Sequence, residues 1–334
     1  MNRRQTIPKE LRYTRNQFDK DFPNDDVCLE QIKQSRWPSG MIYCETCEKE
    51  RKHYRVTGRM AYACDRCGHH VYPLVGTIFQ KSTTPLRIWF QAMYLMGSTR
   101  CGISAKQIQR ETGVTYKTAW RIFRQIRSLL SEPDMQLEGS SVEMDEVYIG
   151  GRPRGKRGGP KWLEPSKKAI VAGVVERRSG KGRVIARVVE DASKKTLQDF
   201  AHEFVLPEST VFTDEHPSYT GLDKTYTHHR IQHSAGVYVR GDVHTQTIEG
   251  FWSLVQNGIR GVYHSVSKKY LQTYLNEYSF RYNHRACGNL IFPLLLERAS
   301  QPALLRPAVQ VRKNLTVYTG AIHSHHSWRK VSSD

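Results

Sequence analysis

The sequence predicts a multidomain α+β protein, and three features of the chain lead to that fold class. Two C-x-x-C pairs lie within the first 70 residues, two short amphipathic segments flank Gly113, and strand-like segments alternate with helical ones after residue 140. A chain of 334 residues is long enough for two or three domains. We expect an N-terminal helical segment at 1–40, a cysteine module at 41–80, a helical domain at 84–131, an α/β domain at 140–298 and a C-terminal tail at 299–334.

The net charge indicates the class of binding partner. Lys and Arg number 51 against 32 Asp and Glu, a formal charge of +19, and an excess of this size favours a polyanion, most often nucleic acid. The alternative is a basic surface that is merely solvated. No segment approaches the roughly 18 apolar residues of a membrane helix, and the N-terminus lacks the apolar stretch of a secretory signal. We therefore expect a cytoplasmic protein with no membrane partner.

The cysteine spacing predicts one structural Zn²⁺ in a zinc ribbon. Cys44 and Cys47 form one C-x-x-C pair, and Cys64 and Cys67 form a second after sixteen intervening residues. Two such turns aim four sulfurs at one point and complete a tetrahedron. Because the segment is too short to bury much core, metal binding would supply folding free energy, about 10–16 kcal/mol in zinc-finger peptides. Four thiolates leave no open position for catalysis; the alternatives are unrelated thiols or a redox pair.

The segment 84–131 predicts a helix-turn-helix. Thr84 and Pro85 suit the start of one helix, and Ser104 and Thr115 are candidate N-caps of two more. Gly113 suits a left-handed turn between the last two. The last helix is apolar on one face and basic on the other, with Lys117, Arg121, Arg124 and Arg127 on the basic face. Such a helix can enter the major groove of DNA; the alternative is a plain helical hairpin.

The order of elements after residue 140 predicts a mixed five-stranded sheet. Three strands precede a helix that starts at Ser193, a fourth strand ends at Asp214, a fifth follows, and a later helix carries Glu249 in its first turn. This is the ribonuclease-H-like order, in which the first and fourth strands are neighbours. Asp145 lies in the first strand, so Asp145, Asp214 and Glu249 can converge although they are far apart in the sequence.

Three carboxylates at one place would suit two Mg²⁺ or Mn²⁺ ions. Two such ions clamp the attacking and leaving oxygens of a phosphodiester displacement. An Asp in the apolar strand VEMDEVYI is costly without a partner, which favours a ligand role for Asp145. Glu146 points to the opposite face by strand alternation, and Glu143 shares the face of Asp145 but is expected to be solvated or ion-paired.

A basic loop follows the first strand. The segment GGRPRGKRGGPKWLEPSKK carries seven Lys and Arg against one acid. We expect it to contact the DNA backbone near the metals; the alternative is a solvated excursion. The candidate contacts are Arg152, Arg154, Lys156 and Arg157.

At this point the chain resembles the bacterial insertion-sequence DDE transposases that carry an N-terminal zinc ribbon and are related to eukaryotic Merlin elements. The resemblance covers roughly residues 18 to 295 and rests on CLEQIKQSRWPSG, the two C-x-x-C pairs, MDEVYIGG, TDEHPSY and the long segment from VHTQTIEGFWSLVQNG to FRYNHR. It implies a catalytic triad of Asp145, Asp214 and Glu249.

The resemblance also identifies departures and accessory positions. The family usually has Asn where this chain has Gln246, and often a basic residue where it has Gln256. Arg260, one turn further on, is expected to take over the basic role. His244 is expected either near the metals or in a hydrogen bond at the helix entry.

The expected function is a transposase that binds terminal inverted repeats, cleaves phosphodiesters and joins 3′-OH ends to target DNA. Because two ends must be brought together, we expect a homodimer or larger assembly on DNA, associated with the nucleoid. The alternatives are a nuclease or resolvase with the same fold and no strand transfer, and a zinc-ribbon and helix-turn-helix regulator without metal-dependent activity.

Overall fold

The computed structural model describes residues 12–99, 101–132, 135–137, 141–150, 168–177, 182–231 and 245–302, together with the short strands at 317–318 and 330–331. These residues form two compact units. The first contains the described residues up to 129 and the segment 287–302, and the second contains those from 130 to 286.

The first unit begins with two helices and a small β-module. Helices are α1 (Arg15–Asp21), α2 (Asp25–Arg36), α3 (Leu86–Ser98), α4 (Ala105–Thr112), α5 (Tyr116–Ser128) and α9 (Ile291–Ser300); strands are β1 (Ile42–Cys44), β2 (Lys49–Arg51), β3 (His53–Arg55), β4 (Tyr62–Cys64) and β5 (His70–Val71). Strands β1 and β2 pair antiparallel, and β3, β4 and β5 form a second antiparallel sheet. The C-terminal strands β11 (Val317–Tyr318) and β12 (Lys330–Val331) also pair antiparallel.

Both predicted N-caps of the first unit are present. Ser104 and Thr115 cap α4 and α5, and Asn24 caps α2 in the same way by accepting the amide of Val27 at 3.1 Å. Gly113 ends α4 with φ +73°, a left-handed conformation that favours glycine. Pro85, rather than Thr84, is the residue that precedes α3.

Helix α9 packs in the first unit, although residues up to 298 were expected in the α/β domain. Its Phe292 ring lies 5.7 Å from Phe18 and 5.8 Å from Phe22, in edge-to-face contacts. Gly97 on α3 permits this approach, since a Cβ at Gly97 would lie 2.9 Å from the backbone nitrogen of Phe292. The apolar run of α9 is therefore buried against α3, a choice of partner that helical periodicity does not encode.

The second unit is built on a mixed five-stranded sheet, as predicted. Its elements are β6 (Ser141–Ile149), β7 (Ala169–Glu176), β8 (Val184–Val189), α6 (Lys194–Phe204), β9 (Thr210–Thr213), β10 (Thr227–Arg230), α7 (Gln246–Gly258) and α8 (Lys268–Asn283). The strand order is β10-β9-β6-β7-β8. Strands β6, β7 and β8 are antiparallel neighbours, whereas β9 runs parallel to β6 and β10 parallel to β9.

Helices cover both faces of this sheet. On one face, α6 packs Leu197 and Phe200 against Val142 and Met144 of β6. On the other face, α7 and α8 bury a second apolar cluster against β7, including Ile248, Phe251, Val255, Leu271, Leu275 and Tyr278. Strand alternation places Asp145 on the side of α7 and Glu146 on the side of α6.

The helical path continues past Gly258, although glycine often ends a helix. Gly258 has helical dihedrals, and the chain continues through a π-helical turn at Ile259–Tyr263. A Cβ at Gly258 would lie 1.7 Å from the hydroxyl oxygen of Tyr278. The glycine therefore allows α7 and α8 to approach closely and does not end the helix.

Side-chain amides of α8 cover the outer edge of the sheet. Gln272 accepts from the amide of Val188 at 2.8 Å and donates to the carbonyl of Ala186 at 3.0 Å. Asn283 makes the equivalent pair of bonds with Val184, at 2.7 and 3.1 Å. The exposed backbone groups of an edge strand are thus satisfied within the chain. Among the helices that the structure describes, none is long and apolar enough to span a bilayer.

Candidate metal centres and DNA-binding surface

The four predicted zinc ligands form one compact cluster. The ligand atoms of Cys44, Cys47, Cys64 and Cys67 all lie within 4.8 Å of one another. The sulfurs of Cys44 and Cys67 are 3.4 Å apart, and those of Cys47 and Cys64 are 3.9 Å apart. Neighbouring thiols, Cys67 first, and burial raise the pKa of Cys47 to about 12 in the metal-free chain. Four thiolates in this arrangement fit a structural Zn²⁺, which would displace the shared protons.

The turns of the ribbon support the cluster. Gly68 has φ +72° directly after Cys67, and the amide of His69 points at the Cys67 sulfur at 3.5 Å. His53 is buried with 3% exposure and pairs across the sheet with Cys64. Its Nδ1 bonds to the carbonyl of Arg51 at 3.1 Å.

Two predicted carboxylates lie side by side on neighbouring strands. Glu143 of β6 pairs with Phe212 of β9 in a parallel register. Asp145 lies two residues later, within β6, and Asp214 lies two residues after Phe212, directly beyond the end of β9. Equivalent positions of parallel neighbours lie beside each other, so β6 and β9 bring these two aspartates together although they are separated by 68 intervening residues.

Two acidic side chains, Glu146 and Asp214, add negative charge beside Asp145. Burial, then the charges of Glu146 and Asp214, raise the pKa of Asp145 to about 7. Ordinary aspartates have pKa values near 3.9. A half-buried carboxylate held among like charges is the setting in which a hard divalent cation binds. The chemistry of the donors therefore fits Mg²⁺ or Mn²⁺ at Asp145 and Asp214.

Asp214 is also a turn residue. Its Oδ1 accepts the amide of His216 at 2.9 Å, and a 3₁₀ turn at Pro217–Tyr219 follows. Tyr219 is fully buried, and its hydroxyl donates to Glu146 on the other face of β6. The predicted strand end and the predicted turn are both present, and the turn fixes the direction of the Asp214 side chain.

Glu249 lies in the first turn of α7 and is exposed. Its Oε1 accepts the hydroxyl of Thr245 at 2.9 Å. In the part of the chain that the structure describes, the four cysteines are the only metal-binding group whose ligand atoms all lie within 4.8 Å. The structure thus places Asp145 beside Asp214, and Glu249 does not join them in a group as compact as that of the cysteines.

Glu143 is ion-paired with Arg177 at 2.8 Å, one of its two expected environments, and has a further role that its position in the sequence does not indicate. This carboxylate is fully buried and caps α7 from the neighbouring strand. Its Oε2 accepts the amides of Thr247 at 2.8 Å and Ile248 at 2.9 Å, and its Oε1 accepts the Thr247 hydroxyl at 2.8 Å. Arg177 donates to Oε1 at 2.8 Å. Because the hydroxyl of Thr245 is directed to Glu249, Glu143 supplies the cap that the helix N-terminus requires.

The basic residues of α5 are in different environments. Lys117 and Arg124 are exposed. Arg121 donates to the hydroxyls of Ser82 at 3.2 Å and Thr84 at 3.1 Å, so its guanidinium has intramolecular partners. Arg127, expected on the basic face, is buried with 2% exposure and lies 3.8 Å from the ring centroid of Phe123. Helical periodicity at the end of α5 therefore misplaced one of the four cations.

Of the remaining predicted residues, two lie in the part of the chain that the structure describes and five lie outside it. Arg260 is exposed in the π-helical turn and donates to Gln256 at 3.3 Å. Gln246 is exposed at the first position of α7. The residues Arg152, Arg154, Lys156, Arg157 and His244 lie outside the described part of the chain.

Comparison with known proteins identifies the same two regions. Residues 136–283 match the model of the ISXO2-like transposase domain, and residues 23–70 match that of the transposase zinc-ribbon domain. The chain is 30% identical over 283 residues to an uncharacterized protein in transposable element ISH50 of Halobacterium salinarum, an alignment that covers 78% of this chain and 92% of the relative. It is 30% identical over 105 residues to an uncharacterized transposase-like protein of Haemophilus influenzae, covering 31% and 84% of the two chains.

The matched regions coincide with the cysteine cluster and with the sheet that carries Asp145 and Asp214. The alignment with the ISH50 protein extends over most of both chains. The chain therefore belongs to the ISXO2-like, or IS1595-family, DDE transposases.

Proposed function

We propose that this transposase cleaves DNA at the ends of its own insertion sequence and joins the freed 3′ ends to target DNA. The observation that carries the proposal is the placement of Asp145 beside Asp214 on the parallel neighbours β6 and β9, where each adds to the other's negative charge, inside the region that matches a transposase domain. A ribonuclease-H-like assignment of this domain is supported by the strand order and by the parallel pairing of β9 with β6.

In the proposed reaction, Asp145, Asp214 and Glu249 act as a carboxylate triad. Glu249, which is exposed in the first turn of α7, would exchange its hydrogen bond with Thr245 for the shared metal ions. Two Mg²⁺ or Mn²⁺ ions, when bound, would stabilise charge on the phosphorus and lower the pKa of the attacking hydroxyl.

The chemistry consists of two in-line displacements. A water oxygen forms a bond to the phosphorus at the element end, and the bond to the bridging 3′ oxygen breaks, releasing a 3′-OH and a 5′-phosphate. The 3′-OH oxygen then attacks a target phosphorus and displaces the 3′ oxygen of the target strand. The nucleophile gives up its proton in each step, and the leaving oxygen gains one.

Recognition of the ends is assigned to residues 84–131 and to the ribbon. Helices α4 and α5 around Gly113 have the order of a helix-turn-helix, and α5 exposes Lys117 and Arg124. These two side chains are the proposed DNA contacts on α5. Arg260 and the basic segment that contains Arg152, Arg154, Lys156 and Arg157 are proposed to contact the DNA backbone. A dimer or larger assembly on two ends is proposed for the same reason as before, that two ends must be joined together.

The test is a strand-transfer assay on DNA taken from the flanks of the gene. A duplex end that still carries its flanking DNA, and the same end pre-cut, are each incubated with target plasmid, Mg²⁺ and the full chain, or with Asp214→Asn as the control. The proposal expects joined products from the wild type and none from the variant, with end binding retained in both. Cleavage without joining would instead support a nuclease or resolvase, and binding without either reaction would support a regulator.

A further inference from the structure

The indole of Trp252 contacts one of the two clustered aspartates. Trp252 lies three residues beyond Glu249 on α7, and its Nε1–H donates to Asp145 Oδ2 at 2.9 Å. The ring is 5% exposed, so this hydrogen bond is shielded from water. One side chain of α7 therefore fixes a carboxylate on β6, and the same helix carries the third acid of the proposed triad.

A glycine makes room for the indole. Gly173 of β7 is the cross-strand partner of Asp145. A Cβ at Gly173 would lie 2.5 Å from two carbons of the Trp252 ring, closer than any real side chain tolerates. The strand therefore has no side chain at the one position where the indole must lie flat to reach Asp145.

The acceptor distinguishes this bond from ordinary core packing. A buried indole usually donates to some nearby acceptor, which satisfies its N–H. Here the acceptor is a half-buried carboxylate whose neighbours Glu146 and Asp214 are also acidic. A donor that holds a ligating carboxylate typically changes metal affinity or activity by about 10–100-fold when it is removed.

We infer that Trp252 is a positioning residue of the proposed catalytic site, which orients the Asp145 carboxylate for a divalent cation, and that Gly173 is required for this placement. The inference rests on the proposed function, because it assumes that Asp145 is a metal ligand. It concerns how the site is held, and it assigns to Trp252 no contact with DNA or with the reacting atoms.

Trp252→Phe removes the N–H donor and keeps an aromatic ring in the core. The measurement is a calorimetric titration of the zinc-loaded full chain with Mn²⁺, together with thermal unfolding without Mn²⁺. We expect the Mn²⁺ affinity to fall about tenfold or more. Excess Mn²⁺ should restore strand transfer by this variant, which it cannot do for a protein that has lost its fold.

Tyr263→Phe is the matched control. The Tyr263 hydroxyl donates to Glu277 at 3.2 Å within the same unit and takes no part in the aspartate cluster. This variant also loses one hydrogen bond of an aromatic side chain to a buried carboxylate. We expect its melting temperature to fall by no more than that of Trp252→Phe, which also loses buried ring volume, while its Mn²⁺ affinity stays at the wild-type value.

Gly173→Ala tests the second half of the inference. In the wild-type background the added methyl group displaces the indole, so Mn²⁺ affinity should fall as it does in Trp252→Phe. In the Trp252→Phe background the shorter ring leaves space, so Gly173→Ala should cause no further loss. This non-additivity is expected for residues that act through one contact.

The outcomes separate the inference from the proposal on which it rests. If Asp145→Asn binds Mn²⁺ as tightly as the wild type, the proposed metal site is wrong. If Asp145→Asn binds weakly while Trp252→Phe binds like the wild type, the metal site stands and the positioning role of Trp252 is overturned. Full additivity of Gly173→Ala and Trp252→Phe would overturn the role of Gly173.

Discussion

Glu143 on strand β6 caps helix α7 through Thr247, a residue 104 positions further along the chain. Both carboxylate oxygens of Glu143 are used, one for the Thr247 amide and one for its hydroxyl, each at 2.8 Å. Glu143 is two residues before Asp145, and Thr247 is two residues before Glu249. One buried contact therefore ties the strand that carries the first acid of the proposed triad to the helix that carries the third.

Glu143→Gln should destabilise the second unit. The neutral amide loses the negative charge that faces the helix N-terminus and Arg177, and one of its ends becomes a donor that faces other donors. Breaking such a buried, charged network costs about 3–5 kcal/mol in the free energy of unfolding. Urea unfolding measures this loss, with Glu190→Gln at the exposed end of β8 as the control. Equal midpoints for both variants would contradict the capping role.

Asp145→Asn should stabilise the protein in zinc-containing buffer that is free of Mg²⁺ and Mn²⁺. The pKa of Asp145 in the fold is about 7, above its usual value, so the wild type loses stability as the pH rises from about 4 through 7. At pH 8 the Asp145 carboxylate is ionised in both the folded and the unfolded protein. The folded state disfavours this charge, which lowers the free energy of unfolding by an amount on the order of 2–4 kcal/mol.

The pH dependence supplies the check on that prediction. At pH 8 the melting temperature of the Asn variant should be higher than that of the wild type. The difference should shrink at pH 5, where Asp145 is protonated in the folded wild type. A variant that is no more stable than the wild type at pH 8 would show that the Asp145 carboxylate is not strained by its surroundings.

Cys44→Ser should remove the bound zinc and unfold the ribbon locally. Its sulfur is one of four that lie within 4.8 Å, so three ligands remain for a site that needs four. Zinc content by atomic absorption and hydrogen exchange of residues 42–71 measure the change. Cys101→Ser, which alters an exposed thiol outside the cluster, should leave both unchanged. Full protection of the ribbon in the Cys44 variant would contradict the structural role of zinc.

Lys117→Ala and Arg121→Ala should differ in their effects. Lys117 is exposed, so its loss should weaken binding to the element end and leave the melting temperature unchanged. The slope of the logarithm of the binding constant against the logarithm of the salt concentration should fall in magnitude by about 1. Arg121 donates hydrogen bonds to Ser82 and Thr84, so its loss should instead lower the melting temperature. Binding isotherms at several salt concentrations measure the first effect. Unchanged binding by the Lys117 variant would move recognition away from α5.

Local signals predicted much of the fold because they act over a few residues. Asn24, Ser104, Thr115 and Ser193 cap the helices as expected, since each side chain reaches an amide only three positions away. The strand that contains Asp145, the strand that ends before Asp214 and the mixed five-stranded sheet were also predicted. The spacing of the four cysteines predicted their cluster.

Contacts between distant segments could not be predicted in the same way. The burial of Glu143 depends on a helix 104 residues away, and a carboxylate in a strand carries no sign of such a partner. Glycine often ends a helix, yet the absence of a side chain at Gly258 serves to leave room for the Tyr278 hydroxyl of α8. Arg127 is buried against Phe123 although the pattern of α5 places it on the basic face.

The central claim is that Asp145, Asp214 and Glu249 together hold divalent cations where β6 lies beside the end of β9. Crystals of the full chain with a cleaved DNA end and Mn²⁺ would locate the ions by anomalous scattering. We predict anomalous peaks within coordination distance of the Asp145 and Asp214 carboxylates, with Glu249 turned from Thr245 to the same ions. Mn²⁺ bound only elsewhere, or no anomalous peak at these carboxylates while DNA is bound, would contradict the claim.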